Sequence, residues 1–203
     1  TILSRKDAES QRIILRYRSS PAIAYWQVEN EPLFKFGNCP WYDEEFLKKE
    51  VALVKSLDSS RQIIISDSGE QSTWVRAAKI ADIVGVTLYR KAWFHVTDNI
   101  GFNVDFLIPP VTYWKKASLV NKFFNKKVIG VELQAEPWTS RTFYDVPLEE
   151  QEKTMSLQIF KDNVEYARKT GLDKFYFWGV EWWYWMKEIH SRPEIWEEAK
   201  KLF

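Results

Sequence analysis

The sequence predicts an α/β fold in which helices cover a parallel sheet. Apolar runs of strand length alternate five times with stretches whose apolar residues recur at helical spacing. The runs are apolar at nearly every position, which is typical of strands that are buried on both faces of a parallel sheet. No linker, low-complexity segment or sequence repeat interrupts this alternation. The chain therefore reads as one continuous α/β unit.

The predicted elements follow one another along the chain. Helices are expected over residues 2–20, 42–60, 71–81, 113–124, 148–171 and 192–203. Strands are expected over residues 21–28, 62–66, 82–89, 126–131 and 174–180, and residues 90–110 are predicted to be irregular. Asp43 stands directly before a stretch of helical periodicity, so we expect it to cap the second helix.

Composition narrows the classes of function. The net charge is +1 and the basic residues are scattered, so we predict no nucleic-acid partner. Cys39 is the only cysteine and there are two histidines, which excludes an internal disulfide and argues against a histidine-rich metal centre. We therefore predict no metal and no cofactor. No run of 18 apolar residues occurs, so we predict no membrane segment in this chain.

Carboxylates, amides and aromatic residues collect where the predicted strands end. In order, the strand ends carry residues 29–32 (ENEP), 66–70 (SDSGE), 89–90 (YR), 132–136 (ELQAE) and 181–185 (EWWYW). Ligands of parallel α/β folds bind at this edge, in open sheets and in eight-stranded barrels alike. An open nucleotide-binding sheet would offer a glycine-rich phosphate loop, and residues 66–70 match one poorly. The sequence therefore favours a barrel with an acidic and aromatic mouth.

Paired carboxylates without a metal are typical of glycoside hydrolysis. One carboxyl group protonates the leaving oxygen, and the other attacks the anomeric carbon or activates water. The first and fourth predicted strands each end in such acids. If the catalytic residue is the one nearest the end of the strand, Glu29 would be chosen over Glu31, because Glu29 directly follows its apolar run. Glu132 and Glu136 are four residues apart, so an extended strand would point both side chains to the same side. Of the two, Glu132 is the one that directly follows the apolar run of the fourth strand.

Two segments carry a resemblance to a known family. Residues 26–32 (WQVENEP) resemble the Asn-Glu-Pro signature that closes the fourth strand of glycoside hydrolase clan A barrels. The resemblance implies that Glu31 is the general acid/base and that Asn30 hydrogen-bonds the sugar 2-hydroxyl. Residues 132–134 (ELQ) are similar to the nucleophile segment of a β-galactosidase branch of that clan. This likeness implies that Glu132 is the nucleophile, with Glu136 as the runner-up.

The same resemblance suggests further contacts with a sugar. Tyr89 ends the third predicted strand, which corresponds to a position where a tyrosine often hydrogen-bonds the nucleophile; a core tyrosine fits equally well. Trp178 and Trp182 lie near the end of the last strand, where a tryptophan often stacks on the sugar, and one of the two is expected to do so. Trp138 is a candidate second platform, and Glu136 a further substrate-binding residue.

The resemblance covers nearly the whole chain but only five of eight barrel strands. It implies that residues 1–203 are the C-terminal part of a single (β/α)8 barrel, from strand 4 to strand 8, without strands 1–3. A complete barrel takes about 250 residues.

These observations predict a retaining glycosidase that acts on an oligo- or polysaccharide. The main alternative is a carbohydrate-binding barrel without catalysis, in which the carboxylates only accept hydrogen bonds. A different barrel enzyme, which abstracts a proton with a carboxylate base, would want a lysine, histidine or metal at a strand end. The sequence offers no convincing candidate for such a partner.

Overall fold

The computed structural model describes residues 5–35, 43–97 and 100–203, except for the side chains of residues 5–8, 95 and 97. Residues 2–4 of the first predicted helix and Cys39 lie outside these ranges. The helices are α1 (Arg5–Tyr17), α2 (Glu44–Leu57), α3 (Val75–Ile80), α4 (Pro110–Phe124), α5 (Leu148–Gln151), α6 (Leu157–Lys169), α7 (Val180–His190) and α8 (Glu194–Ala199). The strands are β1 (Tyr25–Gln27), β2 (Gln62–Asp67), β3 (Ile83–Leu88), β4 (Lys91–Thr97), β5 (Ile100–Asp105), β6 (Lys127–Gln134) and β7 (Phe175–Trp178).

Five of these strands form one sheet in the order β1-β2-β3-β6-β7. The pairs β1–β2, β2–β3 and β6–β7 are parallel. The prediction of an α/β fold with a parallel sheet is therefore confirmed. Strands β4 and β5 form a separate antiparallel pair, with Phe94 opposite Phe102. The prediction of an irregular stretch over residues 90–110 is wrong for this part, because the ladder of main-chain hydrogen bonds orders it.

The chain divides into two compact units, residues 1–86 with 116–129, and residues 87–115 with 130–203. The first unit buries the apolar side chains of β2 and β3, with Trp74 and Ala77 at α3. The second unit has a core cluster formed by Ala135, Met155, Phe160, Trp182, Trp183, Met186, Ile195 and Ala199.

Asp43 caps α2 as predicted. Its side-chain oxygen accepts a hydrogen bond from the main-chain N–H of Phe46 at 2.9 Å. This bond satisfies one of the N–H groups that a helix start leaves without a partner.

Three boundaries differ from the prediction in the second unit. The expected helix over residues 148–171 is two helices, α5 and α6, and α6 has its own cap at Ser156. Strand β6 continues to Gln134, three residues past the predicted end, because its pairing with β7 continues there. Strand β7 stops at Trp178, and the chain turns at Gly179 (φ 123°) into α7.

Candidate active site

Glu132 lies in β6 and is only 8% exposed. Its Oε2 accepts a hydrogen bond of 2.7 Å from the hydroxyl of Tyr89, which directly follows β3. Burial raises the pKa of Glu132, and the hydrogen bond from Tyr89 opposes this rise. The structure thus brings Tyr89 to Glu132, which is one of the two alternatives that the resemblance left open for Tyr89. A buried carboxylate held by one hydroxyl donor can serve as a nucleophile or as a base.

The ring of Tyr89 also packs against Trp138. The rings of Tyr89 and Trp138 meet edge to face, with centroids 4.7 Å apart and an interplanar angle of 85°. Trp138 is half-buried and follows β6 by four residues. Aromatic rings of this kind suit a sugar ring, which has apolar C–H faces and hydroxyl groups at its edge.

Glu136 and Trp178 form a carboxylate–indole pair. The indole Nε1 of Trp178 donates to Glu136 Oε1 at 2.7 Å, while the indole itself is 45% exposed. Burial raises the pKa of Glu136, the hydrogen bond from Trp178 opposes the rise, and the like charge of Glu181 adds to it. A Cβ at Gly179 would lie 2.5 Å from the Cβ of Glu136. Only glycine lets the turn after β7 pass this close.

Trp182 does not share this position. It is 1% exposed, belongs to the core cluster, and donates from Nε1 to Gln151 Oε1 at 2.7 Å. One of Trp178 and Trp182 was expected to stack on a sugar, and the burial of Trp182 argues against it as that residue. Because β7 ends at Trp178 and α7 begins at Val180, Trp182 lies on a helix and packs inward. Of the two tryptophans predicted there, Trp178 is the one with an accessible face.

In the first unit, Asn30 and Glu31 lie in a turn after β1. The main-chain N–H of Glu31 donates to Ser66 Oγ at 2.8 Å, and Ser66 Oγ lies 3.5 Å from Asn30 Oδ1. Glu29 and Glu31 both have left-handed backbone angles, with φ of 62° and 44°. Such angles cost energy for residues other than glycine and are concentrated at functional sites. Asn30 is exposed and Glu31 is half-buried.

A second acidic residue of the first unit, Asp67, is committed to protein partners. It accepts hydrogen bonds from Ser72 Oγ at 2.5 Å and from the main-chain N–H of Ser68 at 2.9 Å. Nearby, the ammonium group of Lys116 donates to the carbonyl oxygens of Gly69 and Ser72, each at 2.7 Å. These bonds give Asp67 a structural role in the loop after β2.

Sequence reasoning missed the part that Gln134 plays. Its side chain is 1% exposed and makes three hydrogen bonds to the main chain just after Tyr89. The sequence did contain a signal for this role: Gln134 stands two residues after the predicted nucleophile, at a strand end where a buried amide must find hydrogen-bond partners.

Within residues 5–35, 43–97 and 100–203, no group of three or more histidines, cysteines, aspartates or glutamates could hold a metal ion. No helix of the described chain combines the length and apolarity needed to cross a membrane.

Comparison with known proteins gives a likeness of fold. No protein-family model matches the sequence, and no curated protein matches it significantly. The β-glucuronidase from Ruminococcus gnavus in complex with D-glucuronic acid is similar with a TM-score of 0.53, at 15% identity over 85% of this chain and 28% of that chain. The GH2 β-galacturonidase from Eisenbergiella tayi bound to galacturonate gives 0.54, at 16% identity over 93% of this chain and 32% of that chain. A calcium-binding mutant of Bacteroides uniformis β-glucuronidase 2 gives 0.51, at 18% identity over 88% and 22%.

These neighbours are glycoside hydrolases, and this chain spans 22–32% of their length. They correct the resemblance drawn from the sequence. The assignment to glycoside hydrolase clan A is wrong as made, because the matches are to β-glucuronidases and a GH2 β-galacturonidase, over one part of each. They do not identify that clan specifically.

Proposed function

We propose that this protein is a glycoside hydrolase that works by two glutamates with retention of configuration. The observation that carries the proposal is the buried carboxylate of Glu132, which accepts a hydrogen bond of 2.7 Å from the hydroxyl of Tyr89, whose ring packs against the indole of Trp138. The likeness of fold to glycosidases supports the reaction class. We further propose that the sheet represents strands 4–8 of an incomplete (β/α)8 barrel, with residues 1–203 as the C-terminal part of that barrel.

In the proposed mechanism Glu132 is the nucleophile. Its carboxylate attacks the anomeric carbon, the bond to the leaving oxygen breaks, and a covalent glycosyl-enzyme ester forms. The Tyr89 hydroxyl holds the attacking carboxylate in one orientation. Burial raises the free energy of the ionised carboxylate, and attack relieves it because the negative charge leaves Glu132.

Glu31 is the proposed general acid/base. It donates its proton to the leaving oxygen in the first step and takes a proton from the attacking water in the second. The bond from its main-chain N–H to Ser66 supports this role, because it fixes the turn on which the carboxylate stands. Asn30, the exposed neighbour, is proposed to hydrogen-bond the sugar 2-hydroxyl.

Trp178, Trp138 and Glu136 are the proposed binding residues. The exposed indole of Trp178 offers a flat surface, and its hydrogen bond to Glu136 limits rotation of the ring. Glu136 has a second carboxylate oxygen that can accept a hydrogen bond from a sugar hydroxyl. An oligo- or polysaccharide remains the proposed substrate class. Because the structural neighbours include β-glucuronidases and a β-galacturonidase, uronides belong in the first substrate panel.

The test assigns a role to each glutamate separately. Hydrolysis of aryl glycosides is followed by proton NMR, and we expect the first product to keep the configuration of the substrate. With azide added, Glu132→Ala should form a glycosyl azide of inverted configuration, because azide then attacks the substrate directly. Glu31→Ala should form the retained azide, because azide then attacks the covalent ester. An inverted hydrolysis product, or azide rescue of neither variant, contradicts the proposal.

One observation favours a second candidate function. The locked and exposed indole of Trp178 would also serve a carbohydrate-binding protein without catalysis. In that case sugar binding would persist in Glu132→Gln, hydrolysis would be absent from the wild-type protein, and Trp178→Ala would abolish binding.

A further inference from the structure

Gln134 connects two strand ends of the second unit through its buried side chain. Its Oε1 accepts from the main-chain N–H groups of Arg90 at 2.9 Å and Lys91 at 3.0 Å. Its Nε2 donates to the carbonyl oxygen of Lys91 at 2.6 Å. One side chain therefore satisfies three main-chain groups of two consecutive residues, which fixes the direction of the chain there.

The residues that Gln134 holds are the ones that follow Tyr89. Arg90 is bonded to Tyr89 covalently, and Tyr89 donates to Glu132. Glu132 and Gln134 are two residues apart on β6, and both side chains bond the segment that follows β3. Glu132 bonds the side chain of Tyr89, and Gln134 bonds the main chain directly beyond Tyr89.

Other contacts lie next to the side-chain hydrogen bonds of Gln134. The side chain of Asn163 on α6 donates to the carbonyl oxygen of Gln134 at 3.0 Å. The main-chain N–H of Phe106 donates to the carbonyl oxygen of Arg90 at 2.9 Å, and Lys91 pairs with Asp105 at 2.6 Å. These last two contacts close the base of the β4–β5 hairpin at the point where Gln134 holds it.

We propose that Gln134 is a positioning residue that holds the Tyr89 hydroxyl against Glu132 by fixing the main chain at Arg90 and Lys91. The proposal rests on the proposed function, since it concerns the assigned nucleophile. It also makes a claim that stands apart from activity, because Gln134 then controls the hydrogen bond between Tyr89 and Glu132 in the resting protein. Within the described part of the second unit, the ionisable side chain that affects the pKa of Glu132 is Tyr89, through its hydrogen bond.

The experiment compares three variants of the protein. Gln134→Met keeps the side-chain length and removes all three hydrogen bonds, and Tyr89→Phe removes the hydroxyl itself. Asn163→Leu is the matched control, because it removes one buried hydrogen bond to the same glutamine and leaves the bonds to Arg90 and Lys91 in place. For each protein we measure the pH profile of kcat/KM, kcat and KM separately, the Tm, and the carboxyl carbon titration of Glu132 by NMR.

We expect Tyr89→Phe and Gln134→Met to move the acidic limb of the profile and the NMR titration of Glu132 to higher pH, by about 0.5–1 pH unit. The direction follows because the hydrogen bond from Tyr89 lowers the pKa of Glu132. We expect kcat of Gln134→Met to fall about tenfold, with KM changed less than about threefold. Asn163→Leu should lower the Tm and leave both titrations in place.

The results separate this proposal from the proposed function. If Tyr89→Phe moves the titrations and Gln134→Met does not, Gln134 is only a structural residue and the glycosidase proposal stands. If the wild-type protein hydrolyses no glycoside, the proposed function fails, and the NMR titration still decides the role of Gln134. Should Gln134→Met not fold, Gln134→Asn, which keeps the amide and shortens its reach by one methylene, replaces it. An unchanged Glu132 titration in that variant overturns the proposal.

Discussion

Two segments of this chain run from an apolar strand into Glu-Pro, and they use their glutamates differently. In residues 24–34, strand β1 has three residues and stops at Gln27, so Glu31 stands in a turn. In residues 128–138, strand β6 continues to Gln134, so Glu132 lies within the strand and Glu136 follows two residues after it. Similar sequences thus place their acids on different kinds of backbone.

The two glutamates assigned to catalysis are accordingly held by different groups. Glu31 is anchored through its main-chain N–H to Ser66, with a left-handed backbone angle. Glu132 lies within strand β6, in the stretch where the register to β7 shifts, and is anchored through its carboxylate to Tyr89. The carboxyl group of the proposed nucleophile is therefore fixed by its own oxygen.

The largest effect is expected within the second segment. Glu132→Gln should lower kcat/KM for an aryl glycoside by at least about 1,000-fold, because a nucleophile cannot be replaced by its amide. Glu136→Gln, which changes a half-buried carboxylate on the same segment, should cost only about tenfold. Steady-state kinetics on both variants make the measurement. A larger loss in Glu136→Gln would exchange the two roles.

The next effect concerns the first segment. Glu31→Gln should lower kcat/KM about 100-fold or more for a glycoside with a poor leaving group, and much less for a dinitrophenyl glycoside, which needs no protonation. Glu29→Gln is the matched control, because Glu29 shares the left-handed backbone angle of Glu31. Equal losses on both substrates, or an equal loss in the control, would remove Glu31 from the acid/base role.

A smaller effect should follow when the main-chain anchor of Glu31 is removed. Ser66→Ala leaves the N–H of Glu31 without its acceptor, and we expect about a tenfold fall in kcat with a loss of about 1–3 kcal/mol in the free energy of unfolding. Ser72→Ala removes a serine hydroxyl that donates to Asp67 in the same unit, so it should cost stability without the fall in kcat. Chemical denaturation and kinetics on both variants decide the matter, and equal falls in kcat would speak against the anchor.

The smallest effect is one of stability against pH. The pKa of Glu132 is raised on folding, so its contribution to stability is fully present below the unfolded value of about 4.3 and is lost as pH rises through the folded value. Glu132→Gln lacks an ionising group, so at pH 7 it should be about 0.5–2 kcal/mol more stable than the wild type. Near pH 4 this difference should disappear. If the variant is instead less stable than the wild type at pH 7, hydrogen bonding to the ionised carboxylate of Glu132 outweighs the cost of burying its charge.

Much of this arrangement follows from local patterns. The alternation of apolar runs with helical periodicity predicts the α/β class, and the short polar side chain of Asp43 before such a stretch predicts its cap. Glu132 could be singled out because it directly follows an apolar run. Each of these features depends on residues that are close together in the sequence.

Other features depend on contacts across the chain. Residues 175–185 are largely aromatic, so their pattern does not reveal that a strand ends at Trp178 and that Trp182 belongs to a buried helix. The β4–β5 hairpin has no two-residue turn signal, and its order comes from pairing between strands. The hydrogen bonds of Gln134 reach residues 43 and 44 positions earlier.

The sequence by itself thus determined the type of sheet, the strands that carry acids, and the pairing of Glu132 with Tyr89 as a hypothesis. Only the tertiary structure decided which tryptophan remains exposed and which glutamine holds the main chain beyond Tyr89. The physical reason is that strand and helix periodicity are local, whereas burial and hydrogen-bond partners are set by the residues that packing brings close.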